Sequence, residues 1–229
     1  MPTAPPRPQN LSALSHPDDI IGIVLLAVTC PGCGARGAPV CDECRSALRP
    51  APALPSPPGV DACIALLAYD GPAREVVARL KYRNHRTVVP GLARAMAASV
   101  AGRYDVDVVT WTPTTAPRRR ARGFDHAELL ARAVAADLGR PCRALLLRRP
   151  GPPQTGRPLA ERRAGPSFDA TSAVPAHVLV VDDVVTSGAT CSAAAAALRR
   201  AGASTVTVLA AARTPPPRSA PTPQEHHSP

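Results

Sequence analysis

The sequence has few aromatic residues and a single lysine. Aromatic residues make up 3% of its 229 residues, and Lys81 is the one lysine among 27 basic side chains. Binders of single-stranded nucleic acid usually stack bases on aromatic side chains, a role that this composition fits badly. The net charge of +10 therefore comes almost entirely from arginine, and it favours anionic partners such as phosphates, diphosphates or nucleic acid. A high-GC coding bias is the alternative origin, since it also enriches Arg, Ala and Pro.

Long hydrophobic runs are absent as well. No stretch reaches the roughly 18–20 apolar residues that a transmembrane helix needs. The run Ile20–Val28 follows Asp18 and Asp19 and has no basic segment before it, so it is a poor signal peptide. We therefore expect a cytoplasmic protein with no membrane span, in which the seven cysteines do not form a disulfide framework.

Proline, in contrast, is abundant and unevenly distributed. The 29 prolines cluster at 2–8, 50–58, 150–158 and 215–229, which is typical of disordered ends and linkers. The sequence is predicted to divide into a disordered start (1–17), an N-terminal cysteine-containing region (18–50), a stiff Pro-rich linker (51–59), a main domain (60–213) and a disordered tail (214–229).

In the main domain, short β-branched runs alternate with amphipathic runs. Strands are predicted at 61–69, 106–111, 144–147, 177–181 and 204–211. Helices are predicted from Pro72 onward and at 87–103, 124–138 and 188–201. Strands that alternate with helices of this length imply an α/β fold, in which helices flank a parallel sheet.

The most informative segment is residues 178–190, VLVVDDVVTSGAT. Its apolar start predicts a central parallel strand, and Asp182 and Asp183 follow at the carboxyl end, where open α/β sheets bind ligands. Five small or hydroxyl-bearing residues then lead into a helix: Thr186, Ser187, Gly188, Ala189 and Thr190. Backbone N–H groups, the helix dipole and the hydroxyls suit a phosphate, while the paired carboxylates suit sugar hydroxyls or a divalent cation. An ordinary strand–turn–helix with Asp and Ser/Thr as caps is the alternative.

A group of arginines lies between the predicted strand 106–111 and helix 124–138. Its members are Arg118, Arg119, Arg120 and Arg122. The planar guanidinium pairs two oxygens at once and keeps its charge, which suits a diphosphate. We expect a loop here with at least one arginine facing a ligand; a solvated basic loop or a nucleic-acid patch is the alternative.

Two CxxC pairs stand near the N-terminus. Cys30 and Cys33 are followed, after seven intervening residues, by Cys41 and Cys44. Four thiolates at this spacing predict a closed tetrahedral Zn²⁺ site that is structural rather than catalytic. A redox dithiol or an iron–sulfur cluster is the alternative. The scattered cysteines are expected to be small core residues: Cys63, Cys142 and Cys191.

Segment 178–190 resembles the phosphoribosyl diphosphate (PRPP) signature of type I phosphoribosyltransferases, and the wider chain resembles the ComF family of competence-protein ComFC-like proteins. The paired CxxC motifs, residues 80–83, Arg118–Arg122 with Gly123 and Phe124, and the final βαβ unit carry the wider resemblance, which covers roughly residues 18–213.

The resemblance implies a type I phosphoribosyltransferase fold with an N-terminal four-cysteine zinc knuckle. It implies that Asp182 and Asp183, as catalytic residues, hold the ribose hydroxyls directly or through Mg²⁺. It also implies that residues 186–190 cradle the 5′-phosphate, and that the arginines at 118–122 bind the diphosphate.

The chain departs from the family pattern in two places. Asp125 and His126 stand where an Asn-Gln pair is usual, a change that either alters the acceptor or caps the helix, and capping is the reading we favour. Residues 148–168 resemble the family's flexible active-site loop, with Gln154, Leu159 and Arg162 on its pattern. Within this loop, however, Gly151 stands where a threonine is usual, and Ala164 and Gly165 replace an expected asparagine.

Three functions fit these residues. The first is a phosphoribosyltransferase that uses PRPP and Mg²⁺ to modify an unidentified acceptor. The second is a non-catalytic module for DNA uptake in competence, which handles single-stranded DNA beside a helicase; its DNA binding would be electrostatic and steeply salt-dependent. The third is a PRPP or nucleotide sensor that controls a partner.

Overall fold

A computed structural model describes residues 30–35, 40–82, 89–149, 166–171 and 173–216. The strands are β1 (Ala62–Ala68), β2 (Val108–Trp111), β3 (Leu146–Arg148), β4 (Phe168–Ala170), β5 (His177–Val185) and β6 (Thr205–Arg213). The helices are α1 (Asp42–Ala47), α2 (Gly71–Tyr82), α3 (Val89–Val100), α4 (Ala116–Arg122), α5 (His126–Leu138) and α6 (Ala189–Arg200). The predicted disordered start, residues 217–229 of the tail, and Gln154, Leu159 and Arg162 lie outside the described residues.

Four strands form a parallel sheet in the order β1-β6-β5-β2. Strand β5 is central, with Val178 beside Val206 on one side and beside Val108 on the other. Its residues 178–181 are all buried, as expected for a strand covered on both faces. The predicted α/β fold with a parallel sheet is confirmed.

Helices cover both faces of this sheet. On one face Met96 of α3 and Leu130 of α5 pack in a cluster with Leu179 of β5. On the other face Leu198 of α6 packs with Val180 and Val208. Alanines fill most of the buried side of α6, which lets this helix approach the sheet closely. No helix in the described ranges has the length and apolar character of a membrane span.

Strand β5 is longer than predicted. The expected strand 177–181 continues to Val185, because β6 keeps pairing with it: Asp182 lies beside Ala210, and Val184 beside Ala212. Strand β2 stops earlier, at Trp111 opposite Val181. The acidic pair therefore lies inside a strand, at the point where its neighbour on one side ends.

The expected strand at 144–147 does not join the parallel sheet. It pairs as β3 with β4 in a two-stranded antiparallel ladder, where Leu146 lies opposite Ala170 and Arg148 opposite Phe168. Nearby, Cys142 makes a single parallel bridge to Val109 before the chain leaves the sheet. Strand β4 was not predicted, because a three-residue segment has too little pattern of its own.

Candidate functional site

A cavity of about 320 Å³ opens where β2 ends beside β5. Its walls are Thr112, Pro113, Thr114, Arg118, Asp125, His126, Ala127, Arg148, Asp182, Asp183, Val184 and Thr190. The carboxyl ends of parallel strands are the usual ligand side of open α/β sheets. The cavity therefore brings together four of the predicted ligand-binding residues: Arg118, Asp182, Asp183 and Thr190.

The acidic pair forms the floor of this cavity. Asp182 is 9% exposed, and its Oδ1 accepts a hydrogen bond of 2.8 Å from the backbone N–H of Asp183. Burial, and next the charge of Asp182, raise the pKa of the Cys191 thiol in the first turn of α6. Thr190 in the same turn of α6 lines the cavity together with Asp182 and Asp183, so the acidic pair and this helix belong to one site.

The phosphate loop, residues 186–190, connects β5 to α6. Gly188 is the N-cap of α6, with a left-handed φ of +78° that favours glycine. Its C=O accepts from the N–H of Ser192 at 2.9 Å, while the first N–H groups of a helix lack intrahelical acceptors. Thr190 lines the cavity, and Thr186, Ser187 and Ala189 are exposed beside it. Thr190 thus places the first turn of α6 at the wall of the cavity, and the start of a helix is a favourable position for an anion.

The expected arginine loop is a short helix, α4, and this part of the prediction is wrong. Pro117 stands in its first turn, alanine and arginine are good helix formers, and Gly123 ends it with a left-handed φ of +78°. The helix separates the arginines by direction: Arg118 lines the cavity, whereas Arg119 lies 3.9 Å from Glu128. Arg120 is exposed away from the cavity lining, and the side chain of Arg122 lies outside the described residues.

Arg148, which sequence reasoning did not single out, is the second arginine in the cavity. It is half-buried at the end of β3, where it donates to the C=O of Pro113 at 3.4 Å and lies 5.7 Å from the ring centre of Phe168. Burial, and next the charge of Arg118, lower its pKa. The two positively charged guanidiniums repel each other beside one cavity, and an anion bound between them would offset this repulsion.

Asp125 caps helix α5 and closes one wall of the cavity. Its Oδ1 accepts from the N–H of Ala127 at 3.1 Å and its Oδ2 from the N–H of Thr114 at 2.8 Å. Burial raises the pKa of Asp125, and these backbone donors oppose the rise. The favoured capping role is confirmed. His126 also lines the cavity, with its ring centre 4.6 Å from that of Phe124.

The four N-terminal cysteines converge as predicted. Their Sγ atoms all lie within 4.8 Å of one another, and those of Cys33 and Cys41 are 3.6 Å apart. A tetrahedral zinc site with Zn–S distances near 2.3 Å has sulfurs about 3.8 Å apart, so the cluster has the right size. A Cβ on Gly32 would come within 2.6 Å of the Cys44 Sγ, which explains glycine at that position. The cluster could hold a metal ion.

The thiols of this cluster differ in acidity. Burial raises the pKa of Cys30, but N–H donors, chiefly those of Cys33 and Cys41, outweigh it and lower the value to about 6. Burial and the neighbouring thiols raise the pKa of Cys44. Without a metal the protein does not favour deprotonation of all four thiols, whereas a bound divalent cation would favour it. Four sulfur ligands would fill a tetrahedral site and leave no open position for a substrate.

The cysteine cluster is attached to α2 by a buried arginine. Arg79 is 7% exposed and donates to the C=O of Cys30 at 3.0 Å.

The other cysteines are packed as expected, since Cys191 is buried and Cys63 and Cys142 are half-buried.

No family model matches the chain, and no curated protein matches its sequence. Among solved structures it is similar to an allosteric regulatory enzyme of purine biosynthesis, at 24% identity over 53% of this chain and 25% of that one, with a TM-score of 0.38. It is also similar to the glutamine phosphoribosylpyrophosphate (PRPP) amidotransferase from B. subtilis complexed with ADP and GMP, at 24% identity over 52% of this chain and 25% of that one, with a TM-score of 0.36. The chain spans about a quarter of the length of these proteins. At these scores the likeness adds no argument about its ligand.

Proposed function

We propose that this chain is a ComF-like protein of the type I phosphoribosyltransferase fold, which binds PRPP with Mg²⁺ and transfers the phosphoribosyl group to an acceptor. One observation supports this most: a single cavity joins the acidic pair, Thr190 of the phosphate loop, and two arginines. These groups match the three parts of the ligand, namely the ribose hydroxyls, the 5′-phosphate and the diphosphate. Family membership is proposed from the sequence motifs alone.

The arginines of the cavity supply the charge that a diphosphate needs. Arg118 extends from α4 and Arg148 from β3, so the two guanidiniums approach the cavity from different elements. Bidentate guanidinium–phosphate pairs hold a diphosphate in a defined orientation. We propose these two, rather than Arg119 or Arg120, as the diphosphate ligands.

In the proposed reaction an acceptor nucleophile forms a bond to C1 of the ribose. The C1–O bond to the diphosphate breaks, the diphosphate leaves with the bonding electron pair, and the acceptor loses its proton. Arg118 and Arg148 stabilise the charge that grows on the leaving group. The carboxylates of Asp182 and Asp183 orient the ribose hydroxyls. Their oxygens are also the hard ligands that Mg²⁺ prefers, and Mg²⁺ would neutralise further diphosphate charge.

PRPP with Mg²⁺ is expected to stabilise the wild-type protein. With ligand at 100 times Kd, the Tm should rise by roughly 5–10 °C. Asp182→Asn and Asp183→Asn should each lose most of this shift, because each removes a carboxylate that accepts from the ribose. Thermal-shift measurements with and without ligand check this.

The matched control is Asp169→Asn, since the side chain of Asp169 is 44% exposed and pairs with Arg149, and neither residue lines the cavity. This variant should keep the full ligand-dependent shift. A wild-type Tm that PRPP and Mg²⁺ leave unchanged would contradict the proposal of PRPP binding. Diphosphate release over a panel of acceptors then separates a transferase from a PRPP sensor without turnover.

Arg148→Ala is expected to weaken the binding of inorganic diphosphate with Mg²⁺ by about 10–100-fold, because it removes a partly buried cation from the anion site. Isothermal titration calorimetry measures this directly. Arg149→Ala is the control, because Arg149 follows immediately in the chain but its Nε donates to the Asp169 carboxylate at 2.6 Å. If Arg148→Ala and Arg149→Ala changed the diphosphate affinity equally, the proposed role of Arg148 as a diphosphate ligand would be wrong.

Single-stranded DNA handling beside a helicase is not favoured by the structure. Within the described residues, Tyr104 is the one aromatic side chain among the exposed large hydrophobic residues, at 38% exposure. A lone tyrosine is not a base-stacking surface.

A further inference from the structure

The Pro-rich segment, residues 50–59, is attached to the edge of the sheet rather than separated from it. Just at its start, the C=O of Arg49 accepts from the N–H of Ala68 at 2.8 Å, and the N–H of Ala51 donates to the C=O of Leu66 at 2.9 Å. The segment thus begins with an antiparallel bridge between Pro50 and Leu67 of β1. Whether it separates two domains stays a prediction.

A buried arginine holds the middle of the segment. Arg213, the last residue of β6, is 8% exposed and donates to the C=O of Leu54 at 3.0 Å and to the C=O of Pro55 at 2.7 Å. Arg213 pairs in register with Val185, the residue immediately before the phosphate loop. The same arginine therefore fixes the Pro-rich segment beside the end of β5.

The ring of Pro57 fills the space next to Gly188. A Cβ built on Gly188 would lie 2.6 Å from the Cγ and 2.9 Å from the Cβ of Pro57, and both residues are buried. The C=O of Pro57 accepts from the N–H of Val60 at 3.1 Å, and the C=O of Gly59 accepts from Arg199 of α6 at 3.0 Å. Pro57 thus begins a turn, and Gly59 in this turn is hydrogen-bonded to α6, the helix that Gly188 caps.

We propose that Pro57, held in place by the Arg213 hydrogen bonds, is a positioning residue for the phosphate loop. Its rigid ring limits the movement of Gly188 and so keeps the first N–H groups of α6 directed at the 5′-phosphate. It lies far in sequence from the loop and does not line the cavity. The inference rests on the proposed function, because it concerns the phosphate end of the same ligand.

Pro57→Gly tests this inference, since it removes the ring and leaves the loop unsupported. Affinity for ribose 5-phosphate should fall by about tenfold or more, because misplacing a preorganised site costs on the order of 10–100-fold. Affinity for inorganic diphosphate with Mg²⁺ should stay within about twofold, since the arginines bind it through separate elements. Calorimetry with the two ligands measures both values on the same protein.

Pro58→Gly is the matched control, because Pro58 is exposed and the change alters the unfolded chain in the same way. Pro57→Val keeps a Cβ and Cγ atoms against Gly188 and should restore most of the ribose 5-phosphate affinity. Equal affinities in Pro57→Gly and Pro58→Gly would overturn the inference, as would equal weakening of both ligands. If the wild type binds neither ligand, the proposed function itself fails, and the inference fails with it.

Discussion

Gly188→Ala is expected to weaken PRPP binding strongly while the sheet stays folded. The residue has a φ of +78°, which costs an L-amino acid about 1–2 kcal/mol. Its new Cβ would also lie 2.6 Å from the Cγ of Pro57, a contact that forces either the loop or the Pro-rich segment to move. Displacement of the loop removes the N–H groups that bind the phosphate, so the affinity should fall by about 100-fold.

Gly123→Ala separates the two causes of this effect. Gly123 has the same φ of +78°, but among the described residues, its two chain neighbours aside, no atom lies within 4 Å of its Cβ position. The free energy of unfolding of Gly123→Ala should therefore fall only by the conformational cost of the positive φ. That of Gly188→Ala should fall by roughly 1–3 kcal/mol more because of the collision with Pro57. Chemical denaturation gives the free energies of unfolding. If both variants lost the same free energy of unfolding, Pro57 would move aside at no energetic cost, and the predicted collision would be contradicted.

Cys44→Ser is expected to remove the metal from the N-terminal cluster. We propose that the wild type binds about one Zn²⁺ per chain and that the variant retains less than about a tenth of it, because one hydroxyl replaces a thiolate in a closed four-sulfur site. Elemental analysis of the purified protein measures the content. The segment 40–47 should then become susceptible to proteolysis, because the described buried core around it consists mainly of Cys30, Val40 and Cys44.

Cys142→Ser is the control for this experiment. Cys142 is half-buried and lies outside the cysteine cluster, so the same chemical change should leave the metal content unaltered. Iron and sulfide in the purified wild-type protein would contradict the zinc site and support the iron–sulfur cluster instead. A wild type that is purified without metal and does not bind added Zn²⁺ would contradict a zinc site.

Several features of the fold followed from the sequence because their signals are local. The apolar run before Asp182 predicted a central strand, and β5 is central. The spacing of the two CxxC pairs predicted a common site, and the four Sγ atoms meet within 4.8 Å. Asp125 favoured a helix cap, and its carboxylate accepts from the N–H of Ala127. In each case residues within a few positions of one another, or a strong periodic pattern, carry the information.

Other features were mistaken because competing interactions decided them. The arginines at 118–122 were expected in a loop because they lie between the predicted strand 106–111 and helix 124–138, but the proline at the start and Gly123 at the end favour a short helix. The strand before the phosphate loop continues to Val185 because β6 offers it further hydrogen-bonding partners. The signals for the helix are local in the sequence and were outweighed in the prediction, whereas the pairing of β5 with β6 depends on a neighbour distant in sequence, which the hydrophobic pattern does not contain.

By itself, the sequence determined the chemistry that segment 178–190 offers: a carboxylate pair followed by a small, hydroxyl-rich turn at the start of a helix. The tertiary structure alone decided which other residues meet that turn. It directs Arg148 into the cavity and Arg149 to Asp169, and it brings Pro57 against Gly188. The physical reason is that a binding loop is encoded by neighbours along the chain, whereas its counter-charges and its support come from contacts that form only when the sheet assembles.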